Sequence, residues 1–280
     1  MTIKKPLISI ITPCKNSEKY IERAIKSVLK QNFSNYEHII VDGKSTDKTI
    51  NIIGKYKHVK LISEADGNHI EAVNKGINSS KGEIISILNS DDYYEPKIFS
   101  FVSKIFKNPD ITVVVGNLRI IDNQNKELKI LKPAFKFEHI LLPWKYVFPP
   151  NPSAYFYKKS IHDTVGLYDS SKGIPYDYEF LLRMTQRYQP TYVDKLLGNF
   201  RYDEGTLSYG NESNNLDDQI KISFDFAGNI FSSTFYKYLF HYASYLFEPP
   251  TREVVAFLRL KIALRSRIKK AFISLNNLLK

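Results

Sequence analysis

The sequence contains a single cysteine among its 280 residues, so an internal disulfide is excluded and nothing indicates an oxidising compartment. It also lacks any run near the roughly 18 uninterrupted apolar residues of a membrane-spanning helix. The nearest run, residues 238–247, is short and is interrupted by His241 and Ser244. Residues 1–6 are too short for a signal peptide ahead of the strand-like run at Leu7. We therefore expect a cytoplasmic protein that does not span a bilayer.

Several common cofactor motifs are missing too. No Gly-x-Gly-x-x-Gly follows the first apolar strand, which excludes a dinucleotide-binding fingerprint, and no Gly-x-x-x-x-Gly-Lys-Ser/Thr occurs, which excludes a P-loop. The six histidines, at positions 38, 58, 69, 139, 162 and 241, have no paired spacing. Because zinc sites need clustered ligands, this spacing argues against one.

The composition is that of a folded chain, with 43% hydrophobic and 25% charged residues. That content excludes disorder and collagen, and at about 150 residues per domain the length predicts one or two domains. The charge is unevenly distributed. Residues 252–280 hold eight basic residues and one acidic residue, so most of the net charge of +11 lies in this final segment.

Short apolar strands alternate with periodic helices over the first hundred residues. The predicted strands cover residues 7–12, 36–41, 59–63 and 83–88, and the predicted helices cover residues 17–29, 46–56 and 70–78. Asn16 or Ser17 is the predicted N-cap of the first helix. This order is typical of an open parallel sheet covered on both faces.

The pattern after Pro96 is mixed rather than parallel. We predict helices over residues 97–107 and 178–187, strands over 111–116, 153–157 and 191–202, and a hairpin with arms at 118–121 and 127–131. Residues 142–152 are predicted as a proline-rich loop and residues 203–217 as a loop or linker. The chain beyond residue 217 is predicted to be helical.

Polar residues follow each strand of the predicted parallel sheet. They are the segments Thr12–Asn16, Asp42–Asp47, Glu64–Gly67 and Asn89–Asp92. Because ligands of open parallel sheets bind beyond the carboxyl ends of the strands, we expect these segments to form one binding crevice.

These segments resemble those of family 2 glycosyltransferases, inverting enzymes of the GT-A fold that use nucleotide-activated sugars. The matching segments are Ile8–Asn16, Ile40–Thr49, Asn74–Ile77, Gly82–Asp92, Gly166–Asp169 and Tyr176–Arg183. The resemblance implies an α/β fold with an open, mostly parallel sheet flanked by helices. We expect a GT-A domain over residues 1–215, consisting of a nucleotide-binding first half (residues 1–95) and an acceptor-binding second half (residues 96–215). A small, basic helical extension follows over residues 216–280.

The resemblance implies nucleotide contacts in the first half. Asp42 matches the aspartate that hydrogen-bonds the base, usually uracil; the alternative is an Asx-turn or a cap before the next helix. Thr12, Pro13 and Asn16 match residues that shape the base pocket, with an N-cap role as the alternative for Asn16. Asp66 lies where family members place a further nucleotide contact, and its alternative is an ordinary Asp-Gly turn.

Asp91 matches the last aspartate of the family's Asp-x-Asp metal signature. A Mg²⁺ or Mn²⁺ held there by oxygen ligands stabilises the diphosphate leaving group. The chain departs from this signature because Asn89 replaces the first aspartate, so we expect Asn89 and Ser90 to contact the nucleotide-sugar instead. The alternative for Asp91 is a helix cap.

Asp177 matches the general base of the family, which takes the proton of the acceptor hydroxyl. The alternative is an N-cap of the following helix, and Glu179 is the second candidate for the base. Arg201 is expected either to reach a phosphate or to pair with Asp203. Asn151 stands where relatives often have histidine, which leaves an acceptor contact as its expected role.

The basic final segment predicts an amphipathic helix over residues 252–280. Its apolar stripe repeats every three to four residues beside the basic side chains, a pattern suited to an anionic membrane interface. Docking of the stripe on the rest of the protein is the alternative. Nucleic-acid binding is disfavoured, because no recognised module is present.

The sequence therefore predicts an enzyme: a metal-dependent, inverting transferase that moves one sugar from a nucleotide donor, expected to be a UDP-sugar, to a hydroxyl of a glycan or lipid-linked acceptor. Neither the Gln-x-x-Arg-Trp segment nor the transmembrane helices of processive members occur, so one sugar per encounter is expected. Two alternatives remain: a non-catalytic nucleotide-sugar or glycan-binding relative, and a basic scaffold at the inner face of the cell membrane.

Overall fold

The computed structural model describes residues 5–146, 151–172, 175–204, 206, 212–228, 234–235, 237–239 and 241–242. Within these residues nine strands form one sheet. The strands are β1 (Ile8–Cys14), β2 (Tyr36–Asp42), β3 (Val59–Ser63), β4 (Ile84–Ile87), β5 (Tyr93–Tyr94), β6 (Val113–Ile121), β7 (Glu127–Leu131), β8 (Tyr155–Lys158) and β9 (Thr191–Arg201).

Helices connect most of these strands. They are α1 (Ile21–Leu29), α2 (Thr49–Ile53), α3 (His69–Ser79), α4 (Ile98–Ile105), α5 (Phe137–Ile140), α6 (Ile161–Val165), α7 (Tyr176–Arg187) and α8 (Glu212–Phe226).

The sheet has the strand order β3-β2-β1-β4-β8-β6-β9-β5, and β7 pairs with β6. All pairs among β1 to β4 are parallel. The second half is mixed, because β8 is antiparallel to both β4 and β6, whereas β9 is parallel to β6. The loops after β1, β2, β3 and β4 therefore emerge at the same edge of the sheet.

Burial explains the elements of the first half. Every residue of β1 is buried, as expected for a central strand with parallel neighbours and both faces covered. The buried face of α1 consists of Ile21, Ala24, Ile25 and Val28, which follow the helical repeat. One apolar cluster combines residues of both halves, from Ile8 and Ile84 to Phe156 and Leu197. The two halves therefore share a core.

The predicted alternation of the first half and the predicted hairpin between β6 and β7 are confirmed. The structure corrects several other predictions. The first helix begins at Ile21 with Tyr20 as N-cap, so neither Asn16 nor Ser17 caps it. Short elements β5, α5 and α6 were missed, because two to five residues carry too little periodicity to be recognised. Residues 212–217, predicted as loop, belong to α8.

Contacts divide the chain between Ser223 and Phe224 into two compact units. In the second unit the described aromatic rings pack on one another: Phe224 contacts Phe235 at 5.8 Å and Tyr238 at 5.9 Å between centroids. No helix within the described residues is long and apolar enough to cross a bilayer. The predicted amphipathic helix over residues 252–280 lies outside the described residues, and the domain boundary after residue 215 stays a prediction.

Candidate active site

A cleft of about 850 Å³ opens at the edge of the sheet where the loops after β1, β3 and β4 meet the start of α7 and the end of β9. Seven of the predicted site residues line it: Pro13, Asn16, Asp66, Asn89, Ser90, Asp91 and Asp177. The cleft therefore brings together residues from both halves of the domain.

Thr12 and Asp42 lie behind the cleft rather than on its surface. The Thr12 hydroxyl is buried and lies 3.0 Å from Nε2 of His38. The Asp42 carboxylate is also buried, where it accepts hydrogen bonds from the Ser45 N–H at 3.1 Å and the Ser63 hydroxyl at 2.9 Å. The bond to Ser45, three residues further on, ties Asp42 into the turn after β2, whereas the next helix has Lys48 as its N-cap. Base recognition by Asp42 stays a prediction.

Asn16 joins the loops that follow β1 and β2. Its φ of 49° is left-handed, a conformation that asparagine tolerates better than most residues. Its side-chain oxygen accepts a hydrogen bond from the Thr46 N–H at 2.8 Å, and its own N–H donates to the Ser45 hydroxyl at 2.8 Å. Asn16 thus fixes the shape of the loops that border the cleft.

Asp66 closes the same border from the loop after β3. A β-carbon added at Gly43 would lie 2.6 Å from an Asp66 carboxylate oxygen, so the absence of a side chain at residue 43 leaves room for the Asp66 carboxylate in its present position. Lys75 of α3 donates to the Ala65 carbonyl at 3.0 Å and keeps the Asp66 loop in place.

Asp91 and Asp92 follow β4 and have different environments. The Asp91 side chain is 26% exposed, with Nη2 of Arg201 at 3.4 Å. Asp92 is buried, and its carboxylate accepts hydrogen bonds from Nδ2 of Asn151 at 2.6 Å and from the Arg201 N–H at 3.0 Å. Burial raises the pKa of both carboxyl groups, although Arg201 opposes the increase at Asp91. Asp91 is the carboxylate that faces the cleft.

Arg201 lies between these acids and α1. Its guanidinium stacks on the Tyr20 ring, 3.6 Å from the centroid, and Nη1 donates to the Tyr20 hydroxyl at 2.6 Å. Nη1 also pairs with Asp203, which agrees with one of the two sequence expectations. A single buried cation therefore holds Asp91 and Asp203 together at the wall of the cleft.

The oxygen atoms beside Asp91 fit a divalent metal. The Asn89 Oδ1 atom is buried and has no hydrogen-bond partner, which makes it available to a ligand. Carboxylate and amide oxygens are the hard ligands that Mg²⁺ and Mn²⁺ prefer. In the described part of the chain no three histidine, cysteine, aspartate or glutamate residues cluster, so any such metal needs further oxygen atoms from a bound ligand.

Asp177 is the second residue of α7 and faces the cleft from the second half. Its carboxylate accepts a hydrogen bond from the Tyr178 N–H at 2.7 Å. Burial raises its pKa to about 7, close to the value that suits a general base at neutral pH. Pro175 occupies the N-cap position, so the N-cap alternative for Asp177 is wrong.

Glu179, the second candidate for the base, lies elsewhere. It is only 5% exposed and does not line the cleft. Both of its carboxylate oxygens accept from Arg183, at 2.7 and 2.8 Å, and Arg183 also donates to the Leu167 carbonyl. By holding Arg183, Glu179 therefore stabilises the contact between α7 and the segment at Leu167. Asn151 lines the cleft, but its side chain is engaged internally: its amide donates to Asp92 and its oxygen accepts from the Ser153 N–H. An acceptor contact by Asn151 stays a prediction.

Several residues that line the cleft were not predicted from the sequence, among them Tyr20, His69, Tyr176 and Thr206. Only the position of Tyr176 next to Asp177 was a signal in the sequence.

Known proteins are similar to this chain in sequence. The sequence model of glycosyl transferase family 2 matches residues 9–165, more than half of the chain. An uncharacterized glycosyltransferase of Haemophilus influenzae is 34% identical over 143 residues, which cover 49% of this chain and 57% of that protein. A putative teichuronic acid biosynthesis glycosyltransferase of Bacillus subtilis, TuaG, is 40% identical over 101 residues, covering 34% and 40%. The matched region thus spans about half of the length of these relatives.

Solved structures agree on the fold. S. aureus TarS 1–349 aligns with a TM-score of 0.64 at 16% identity, covering 90% of this chain and 78% of that one. The complex of the same protein with UDP-GlcNAc has a TM-score of 0.60 at 18% identity, covering 89% and 69%. GalNAc-T7 with UDP, GalNAc and Mn²⁺ has a TM-score of 0.57 at 16% identity, covering 79% and 48%. The expected GT-A type of fold is confirmed, and the chain belongs to glycosyl transferase family 2.

Proposed function

We propose that this chain is an inverting glycosyltransferase that moves one sugar from a UDP-sugar to a hydroxyl of a glycan or lipid-linked acceptor. The observation that carries the proposal is the shared cleft of Asp91 and Asp177. One carboxylate is exposed to a ligand near a buried arginine, and the other has a pKa of about 7. A diphosphate leaving group needs positive charge, which a metal ion on Asp91 would supply, and a hydroxyl nucleophile needs a base, the role proposed for Asp177.

The proposed reaction is a single displacement at C1 of the sugar. Asp177 accepts the proton of the acceptor hydroxyl while the hydroxyl oxygen attacks C1 of the sugar from the face opposite the nucleotide. The bond between C1 and the diphosphate oxygen breaks, the configuration at C1 inverts, and UDP leaves. A Mg²⁺ or Mn²⁺ ion held by Asp91 and Asn89, when bound, supplies positive charge for the leaving diphosphate.

Relatives support the choice of donor and acceptor class. TarS has been solved with UDP and with UDP-GlcNAc, which supports a UDP-sugar donor. The B. subtilis relative is described as a teichuronic acid biosynthesis glycosyltransferase, which supports a cell-surface polysaccharide precursor as acceptor. GalNAc-T7 was solved with Mn²⁺, which supports the metal. The basic residues 252–280 support contact with the inner face of the cell membrane.

Thermal unfolding tests the donor site. The 280-residue chain is heated with UDP, GDP or dTDP, each with and without Mn²⁺, together with the Asp91→Ala variant. Ligand at about 100 times its Kd adds roughly 2.7 kcal/mol to the stability of the folded state, an increase of several degrees in Tm. We expect a metal-dependent shift with UDP that Asp91→Ala abolishes.

Asp110→Ala is the matched control, because Asp110 is exposed and lies outside the cleft. It should keep the full nucleotide shift. Absence of a shift with every nucleotide in the unmodified protein would contradict the proposal and favour the alternative of a basic scaffold at the membrane.

A further inference from the structure

We propose that His69 and Tyr176 form the wall that binds the sugar ring of the donor, so that this aromatic pair helps to decide which nucleotide-sugar is accepted. The inference rests on the proposed function, because it assigns a subsite within the same cleft. We refer to the two residues as the His69–Tyr176 wall.

The wall is built from both halves of the domain. His69 is the first residue of α3, which Asn68 caps through hydrogen bonds to the N–H groups of Ile70 and Glu71, both at 3.0 Å. Tyr176 is the first residue of α7. Their ring centroids lie 5.6 Å apart with an interplanar angle of 53°, and both residues line the cleft. Two helix starts thus present one aromatic surface to a ligand.

The back of the wall is rigid. The Tyr176 ring packs edge-on against Tyr168 at 5.7 Å, and Tyr168 stacks on Phe180 at 4.1 Å. Tyr168 is held in turn by Asn74 of α3, which exchanges two hydrogen bonds with its backbone, at 2.9 and 3.1 Å. Because these supports fix the Tyr176 ring, the surface exists before any ligand binds and loses little conformational entropy on binding.

The position of the wall matches the position of the sugar. C1 of the donor sugar is bonded to the diphosphate, which is proposed to lie near Asp91, and it is attacked by the acceptor hydroxyl that Asp177 deprotonates. C1 must therefore lie between Asp91 and Asp177. Tyr176 adjoins Asp177 in the chain. It also lines the same cleft as Asp91, so the Tyr176 ring borders the space between the two carboxylates.

The chemistry of the wall suits a pyranose. The C–H face of a sugar ring is apolar and packs on aromatic rings, while its hydroxyls need hydrogen-bond partners. Within the described residues no protein group hydrogen-bonds the Tyr176 hydroxyl or the His69 ring. Burial lowers the pKa of His69 to about 4, so its imidazole is neutral and offers one donor and one acceptor. The wall therefore provides both apolar surface and polar groups.

Calorimetric titration of the 280-residue chain tests the inference by comparing UDP with UDP-glucose, UDP-galactose, UDP-GlcNAc and UDP-GalNAc, in Mn²⁺ and without acceptor. The variants are His69→Ala, Tyr176→Ala and the conservative Tyr176→Phe. We expect each alanine variant to raise the Kd of the preferred UDP-sugar about three- to tenfold. The Kd of UDP itself should change less than about twofold, because UDP lacks the sugar.

The pair His139 and Tyr146 provides a matched control, because these rings stack at 4.3 Å but lie outside the cleft. Tyr146→Ala should leave both dissociation constants unchanged. Tyr176→Phe keeps the packed ring and removes only the hydroxyl, so it remains informative if the alanine variant does not fold.

Three outcomes would overturn the inference. One is an unchanged Kd for the UDP-sugar in all three variants. Another is an equal loss for UDP and the UDP-sugar, which would make the wall part of the nucleotide site or of the fold. The third is an unmodified protein that binds UDP with no preference for any UDP-sugar. If the unmodified protein binds no nucleotide at all, the proposed function itself fails, and the two failures are thereby distinguished.

Discussion

The two halves of the domain hold their functional residues in different ways. In the first half, parallel strands place Asn16, Asp66 and Asp91 in loops at one edge of the sheet, so strand direction alone brings them together. In the second half, Asp177 lies at the start of a helix and Arg201 at the end of a strand that pairs with β6 and β5. The parallel direction of the strands brings together the residues of the first half, whereas packing between the two halves positions Asp177 and Arg201.

Polar links connect the two halves of the domain. Asp92 of the first half binds Asn151 and the Arg201 backbone of the second. Asn74 of the first half binds the Tyr168 backbone of the second. If the two halves have separate roles, then the rate of transfer, the stability of the link between the halves and the packing within one half should each respond to different substitutions.

Removal of the base should have the largest effect. Asp177→Asn keeps the size of the side chain but cannot accept a proton, so we expect UDP release with acceptor to slow by about 10²- to 10⁴-fold. UDP binding should be unchanged, because the nucleotide site lies in the first half. Activity assays together with calorimetry measure both quantities.

The pH profile of the unmodified enzyme checks the same assignment. The base must be ionised, and burial raises the pKa of Asp177 to about 7, so kcat/KM should rise as pH increases through this region. Full turnover by Asp177→Asn, or a profile that is flat from pH 5 to 8, would show that another group is the base.

Breaking the link between the halves should have the next largest effect. Asp92→Ala leaves the Asn151 amide and the Arg201 N–H buried without their acceptor, which should cost about 3 kcal/mol in the free energy of unfolding. Urea denaturation measures the loss, with exposed Asp110→Ala as a control that should change little. A loss below about 1 kcal/mol would mean that the halves hold together without this carboxylate.

Packing within the first half should give a smaller loss. A β-carbon at Gly76 of α3 would lie 2.3 Å from Cγ2 of Ile11 in β1, so Gly76→Ala should cost about 1–2 kcal/mol despite the better helix propensity of alanine. Gly54→Ala is the matched control, because its nearest neighbouring atom would be 3.4 Å away. Thermal unfolding should show a decrease for Gly76→Ala and no decrease for Gly54→Ala.

Restoring the missing acid of the metal signature should have the smallest effect. Asn89→Asp adds a carboxylate beside Asp91, so Mn²⁺ affinity measured by calorimetry should rise several-fold, an effect of about 1 kcal/mol. In EDTA the added negative charge should lower the Tm, because nothing neutralises it. Unchanged Mn²⁺ binding would indicate that residue 89 does not face the metal.

Much of the first half could be predicted because its signals are local. Continuous apolar runs such as β1 mark buried parallel strands, and the residues that follow them must lie at one edge of the sheet. The second half was harder to predict. Its strands are paired in mixed directions, and short elements such as α5 and α6 owe their conformation to packing on α7 rather than to their own periodicity.

The sequence by itself determined the family, the fold class and the identity of the acids at the cleft, because these depend on residue type, spacing and strand order. Only the tertiary structure decided that Asp42 is enclosed in a turn, that Arg201 reaches Tyr20 across 181 positions, and that His69 meets Tyr176. It also decided the pKa of Asp177, since that value comes from burial among distant residues. A local pattern specifies which groups are present, whereas their partners and their access to water depend on how distant segments pack.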